Sequence, residues 1–154
     1  MAKAMIRRNS GLKNAAFVLL SSLLVALAMS YPAVSQTAQT IELKVDYNDG
    51  VEKRLVLPFN SGMTVFDVLT EAQQNPHGLK FDYSGRNGPP QNYFLTQIDN
   101  VKSESGGKNA HNWVFWVNSE FADKGFGTCK IAANDHVLWK FDTFHQLKPG
   151  HACR

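Results

Sequence analysis

Asn112-Trp113-Val114-Phe115-Trp116-Val117-Asn118-Ser119-Glu120 decides the fold. The residues from Trp113 to Val117 are all strand formers and Asn118-Ser119 is turn chemistry, so the stretch predicts a strand running into a tight turn. Alternate side chains of a strand point to opposite faces, which puts Trp113, Phe115 and Val117 on one side and Val114 with Trp116 on the other. Neither side is polar. A strand apolar on both faces belongs in a sheet covered twice, by the chain's own elements or by something it binds. The functional question is what covers the second face.

Upstream, Ile41, Leu43, Val45 and Tyr47 alternate with Glu42, Lys44 and Asp46, the pattern of a half-buried strand. Asn48-Asp49-Gly50 turns it into a second alternating run from Val51 to Phe59, so a β-hairpin opens the domain. Val65, Val68, Leu69 and Ala72 then fall on one helical face, with Thr64 and Asp67 placed as a capping box and Asn75-Pro76 as the stop. This is the one principal helix. Leu79, Phe81 and Tyr83 form a short strand closed by the irregular Gly85–Pro90 loop, and Tyr93–Ile98 forms another, followed by a turn over Ile98-Asp99-Asn100-Val101. A polar, Gly-rich loop from Lys102 to Ala110 leads into the aromatic strand.

Downstream, Gly125 and Gly127 break the chain, Thr128–Ile131 reads as a short strand, and Asn134-Asp135 turns into a strand over Val137–Phe141 whose apolar face is Val137, Trp139 and Phe141. A hairpin, a helix and then several antiparallel strands predict an α+β domain, specifically a β-grasp or ubiquitin-like roll in which a mostly antiparallel sheet wraps one helix.

Residues 1–35 carry the pattern of a secretory signal peptide: Lys3, Arg7, Arg8 and Lys13, then the apolar run Ala15–Met29, then small residues at Ala33 and Ser35 before a cleavage point at Gln36. The apolar run is short for a membrane span, and none is expected after cleavage. Four of the sixteen Lys and Arg lie in this leader and none of the thirteen Asp and Glu, so twelve basic residues face thirteen acidic ones in the remainder. The basic balance belongs to the leader, and a nucleic-acid or anionic-membrane partner loses its compositional support. The expected organisation is therefore a signal peptide over 1–35, the folded domain over 36–146 and a tail over 147–154, with a secreted or periplasmic location.

In an oxidising compartment the default for Cys129 and Cys153 is one disulfide tying the tail to the sheet. The competing reading, a metal cluster of His145, His151 and Cys153, matches no standard zinc spacing. His77, His111 and His136 complete a scattered set. His111, two residues before Trp113, is the histidine placed to act as an axial ligand to a corrinoid cobalt or another metal, against the simpler reading of a loop histidine. No nucleophile elbow, His-Glu-x-x-His pair or phosphate-binding loop occurs, and neither cysteine sits in a pattern that marks an activated thiol, so the chain reads as a binding module and not as an enzyme.

Met63-Thr64-Val65-Phe66-Asp67-Val68-Leu69, Gln97-Ile98-Asp99-Asn100-Val101, Asn112–Asn118, Gly125 and Asn134-Asp135-His136-Val137-Leu138-Trp139 together resemble the C-terminal domain of transcobalamin and intrinsic factor. Bacterial secreted proteins carry the same module under a domain-of-unknown-function label. The match runs from about Gly62 to Phe144. In those carriers the domain is a β-grasp that caps one side of cobalamin while a helical barrel holds the other. The resemblance implies ligand-facing positions at Leu95, Phe115 and Ala122, the last bulkier in the carriers; Trp113, from the aromatic run, and His111, from its place before that run, complete the candidate ligand-binding set. It also implies cobalamin or a similar apolar molecule as the ligand, with no cofactor required. The barrel has no counterpart here, so a corrinoid would be shared with a partner subunit. The alternative is an envelope protein–protein interaction module without a small-molecule ligand. Placing Phe115 on the binding side leaves Trp116 as the expected core aromatic.

Overall fold

The computed structural model describes residues 38–104, 106–107, 109–144, 148 and 150–154; the expected leader and His145 lie outside them. β1 (Thr40–Asp46) and β2 (Glu52–Pro58) form the expected hairpin. Its turn holds Asn48 at φ 61° and Gly50 at φ 88°, left-handed conformations that these two residue types accept most readily. The helix α1 (Val65–Gln74) begins with the expected capping box, since the Thr64 side chain accepts from the Asp67 N–H and the Asp67 carboxylate accepts from the Thr64 N–H at 2.8 Å. Asn75, forced out of the helical region by Pro76, takes ψ 134° and ends it.

β3 (Phe81–Ser84), β4 (Phe94–Ile98) and β5 (Val101–Lys102) make a three-stranded antiparallel sheet. β6 (His111–Val117), β7 (Glu120–Phe121) and β8 (His136–Thr143) join the hairpin in a five-stranded sheet of order β2-β1-β8-β6-β7. β1 and β8 run parallel and every other pair antiparallel. With one α-helix among these strands, the fold is α+β, as expected.

The core follows from the register. Trp113 lies opposite Phe141, Phe115 opposite Trp139 and Val117 opposite Val137, while Leu43 and Val45 of β1 flank Val137 and Trp139 on the other side. This continuous apolar face packs with Val65, Val68, Leu69 and Ala72, all fully buried on α1. Burying each of the Val and Leu side chains stabilises the fold by about 1.5–3 kcal/mol.

Two expectations are corrected. Thr128–Ile131 shrinks from a strand to a single antiparallel bridge between Lys130 and Thr64 at the helix entrance, made by the Val65 N–H donating to Cys129 O at 3.0 Å and the Ile131 N–H to Met63 O at 3.1 Å. The expected split between the faces of β6 also fails, because the Phe115 face is core as well as cavity wall. Phe115 is 7% exposed within the core, whereas Trp116 is only half-buried on the opposite face against Phe121, with ring centroids 5.4 Å apart.

Candidate ligand-binding site

One edge of β6 is fully used by β8; the other is used only at its ends. Near its start, His111 O accepts from the Glu104 N–H at 2.8 Å and the Trp113 N–H donates to Ser103 Oγ at 3.3 Å. Ser103 in turn donates to Leu95 O at 2.9 Å, pinning β6 to the three-stranded sheet. Near its end, Asn118 at φ 52° and Ser119 at φ 71° form a tight turn that folds β7 back on β6. The hairpin stops after one further bond, Ala122 N–H to Phe115 O at 3.1 Å. Beyond Ala122 the chain leaves β6 and crosses to the helix entrance, where the Phe66 N–H donates to Phe126 O at 2.9 Å.

Glycine makes that crossing feasible. A side chain at Gly127 would collide with the Pro90 carbonyl and the Tyr93 ring. The crossing segment is held from outside by the C-terminal residues: Gly150 N–H donates to Phe121 O at 2.9 Å, Cys153 N–H to Asp123 Oδ1 at 3.2 Å and Arg154 N–H to Lys130 O at 3.2 Å. The Cys129–Cys153 disulfide, with its Cα atoms 4.8 Å apart, closes this clamp. The bond is the expected one, but it ties the tail to the crossing segment and not to a strand. It also takes the Cys153 thiol out of any metal cluster. Among the described residues no group of three His, Cys, Asp or Glu side chains could hold a metal ion.

Between the β6 edge, β4 and the crossing segment lies a cavity of about 430 Å³. Leu95, Trp113, Phe115 and Ala122, all singled out in the sequence, share its wall. Trp113 is fixed there by donating its indole N–H to Val101 O at 3.0 Å. His111 is not part of the wall: its ring packs on Phe141 with centroids 5.6 Å apart, and its Nδ1 lies 3.5 Å from Glu104. Glu104 is held below the usual carboxylate range, chiefly because it accepts the His111 backbone N–H. His111 therefore anchors the end of the strand, outside the cavity wall.

Sequence reasoning missed Tyr93, Phe126 and Trp139 on the inner wall, and Asn112, Phe121 and Phe144 on the other side of β6. Phe126 stands between two glycines in a turn-rich segment, a position where a large apolar residue needs a reason; the other five carried no comparable signal. Two wall residues carry buried polar atoms without hydrogen-bond partners, the Trp139 indole N–H and Asn112 Oδ1. Both atoms are closed off from solvent, and leaving such a group unpaired costs about 1–3 kcal/mol.

Asp99, read from the sequence as part of a turn, is the node that fixes β4 and β5 to the hairpin. It accepts from the Tyr47 hydroxyl, from Lys53 Nζ at 2.9 Å and from the Lys80 N–H at 2.9 Å. Burial pushes its carboxyl up, but these donors outweigh it and hold the group below its ordinary value. Burial, followed by the hydrogen bond to Asp99, raises Tyr47.

Fold and cavity define a small α+β domain with an apolar cavity beside an incompletely paired strand. The chain belongs to the family described as a domain of unknown function (DUF4430), whose model matches residues 62–143. No curated protein matches it. A solved structure described as a putative metal binding protein from Ruminococcus gnavus ATCC 29149 superposes on 68% of this chain and 97% of its own, with a TM-score of 0.49 and 11% sequence identity, and at that level nothing further about this chain follows from it.

Proposed function

We propose that this protein is a secreted or periplasmic binding module without catalytic activity, built on a β-grasp, that holds an apolar ligand in the cavity between β4, β6 and the segment after β7. The observation that carries this reading is the cavity itself. Its volume of about 430 Å³ falls in the range of small-molecule sites, and its wall is mainly aromatic and aliphatic.

The order β2-β1-β8-β6-β7, with the first and last strands parallel at its centre and one helix on the apolar face, supports the β-grasp. The signal pattern and the disulfide support the location. Among the described residues no helix is long and apolar enough to cross a membrane. The resemblance to the cobalamin carriers makes a corrinoid the first ligand to test, shared with a partner subunit because the cavity houses only part of so large a molecule.

Calorimetric titration with cobalamin, together with thermal denaturation in its presence, tests the reading. Binding stabilises the folded state by about 2.7 kcal/mol at a free concentration one hundred times the Kd. Ala122→Trp, which fills the cavity from its rim, abolishes the effect. No heat and no thermal shift with cobalamin, together with none with the apolar dye anilinonaphthalene sulfonate, would refute an apolar ligand site.

A further inference from the structure

The cavity lies on both sides of a strand edge. Trp113 and Phe115 enter its wall from the core face of β6, Asn112 and Val114 from the opposite face. The edge between them carries main-chain groups that the fold does not use. N–H and C=O of one residue in a strand point to the same side, and Trp113 N–H and Phe115 O bond to Ser103 and Ala122 on the side away from β8. Trp113 C=O and Phe115 N–H therefore point the same way, and among the described residues neither has a hydrogen-bond partner. These two groups flank Val114 and are the pair that one residue of a strand added parallel to β6 would satisfy with its own N–H and C=O.

We propose that this edge is a strand-addition site, taking an extended apolar segment of another polypeptide chain that runs parallel to β6. The inference rests on the cavity being the binding site. An extended segment beside β6 would send successive side chains to opposite faces, one toward Phe115 and Phe126 and the next toward Val114 and Phe121. A cavity divided by a strand edge has the shape for that pattern, whereas a compact apolar molecule would fill one side and leave the main-chain pair dry. Ser103 closes the open stretch at one end and Ala122 at the other, so about three residues pair. The character of the segment is also indicated: of the four exposed large hydrophobics among the described residues, Phe94 (49%) and Phe144 (60%) stand at the mouth, where they can cover an apolar chain. No Pro lies in β6 to block added pairing.

The test uses the full chain, labelled with ¹⁵N and purified from its producing cells. The probe is a pool of acetylated, amidated tripeptides drawn from Val, Ile, Leu, Phe, Tyr and Trp. Binding is expected to move the Phe115 amide resonance and slow its hydrogen exchange, and N-methylation of the central residue of the best binder weakens it at least tenfold. Methylated and unmethylated peptides binding equally would overturn strand addition. Anilinonaphthalene sulfonate binding in the cavity while the tripeptide pool does not would overturn it too, and would leave the apolar-site reading standing. If neither probe binds, both readings fall.

Discussion

Phe115→Ala and Trp116→Ala separate the two faces of β6. Phe115 is 7% exposed, sits directly opposite Trp139 in the register, and its ring centroid lies 4.8 Å from the Trp139 ring. Truncating a buried Phe costs about 3–5 kcal/mol, and the cost falls where the lost volume is not sealed. Phe115 borders an existing cavity, so its removal enlarges open space, and a loss of about 3 kcal/mol is expected. Trp116 is half-buried with its ring against Phe121. Half the transfer free energy of a large apolar side chain amounts to about 1–1.5 kcal/mol. Urea denaturation of both variants measures the difference directly, provided the slopes match the parent's; in a thermal scan each kcal/mol lowers Tm by about 3–6 °C for a domain of this size. Trp116→Ala costing as much as Phe115→Ala would refute the placement of the core on the Trp113–Phe115–Val117 face.

The Cys129–Cys153 bond joins residues 24 apart, and a loop of that length lowers unfolded-state entropy by an amount worth about 3.5 kcal/mol. The double serine variant should lose about that much in denaturant, with amide exchange speeding up first over residues 122–131; uniform exchange would show that the bond does not specifically brace the cavity wall. Asp99→Asn removes the charge that Lys53 and Tyr47 address and should cost about 1.5–3 kcal/mol at neutral pH. Because the folded carboxyl is held below its ordinary value, its stabilisation is present above about pH 4 and is lost as pH falls through the folded value. The variant should therefore show a shallower acid limb when Tm is followed from neutral to acid pH, and parallel curves would remove Asp99 from that role.

What was legible in the sequence is what local chemistry dictates. The Thr64–Asp67 box, the Asn75-Pro76 stop, the Asn118-Ser119 turn and the alternation of β1 and β8 each follow from a few adjacent residues, and all appear in the fold. The parallel pairing of β1 with β8 did not, because two strands almost a hundred residues apart carry no local mark of being neighbours. The roles of the two faces of β6 were missed for a related reason: alternation sorts side chains into two sets, but which set meets α1 is fixed by the register against β8, where Phe115 falls on Trp139.

The cavity was half legible. Leu95, Phe115 and Ala122 came from resemblance and Trp113 from the aromatic run, yet what opens the site is the early end of β7, and that is set by contacts distant in sequence. Gly127 must pass against Pro90, the Phe66 N–H must find Phe126 O, and the tail must be clamped through Cys153 before Ala122–Phe126 is drawn off β6. Each of these draws the chain toward the helix entrance and away from the ladder. The Trp113 carbonyl and Phe115 N–H, unpaired among the described residues, are their consequence: the fold gives up strand pairing at one place in order to brace the helix, and the place it gives up is the wall of the cavity.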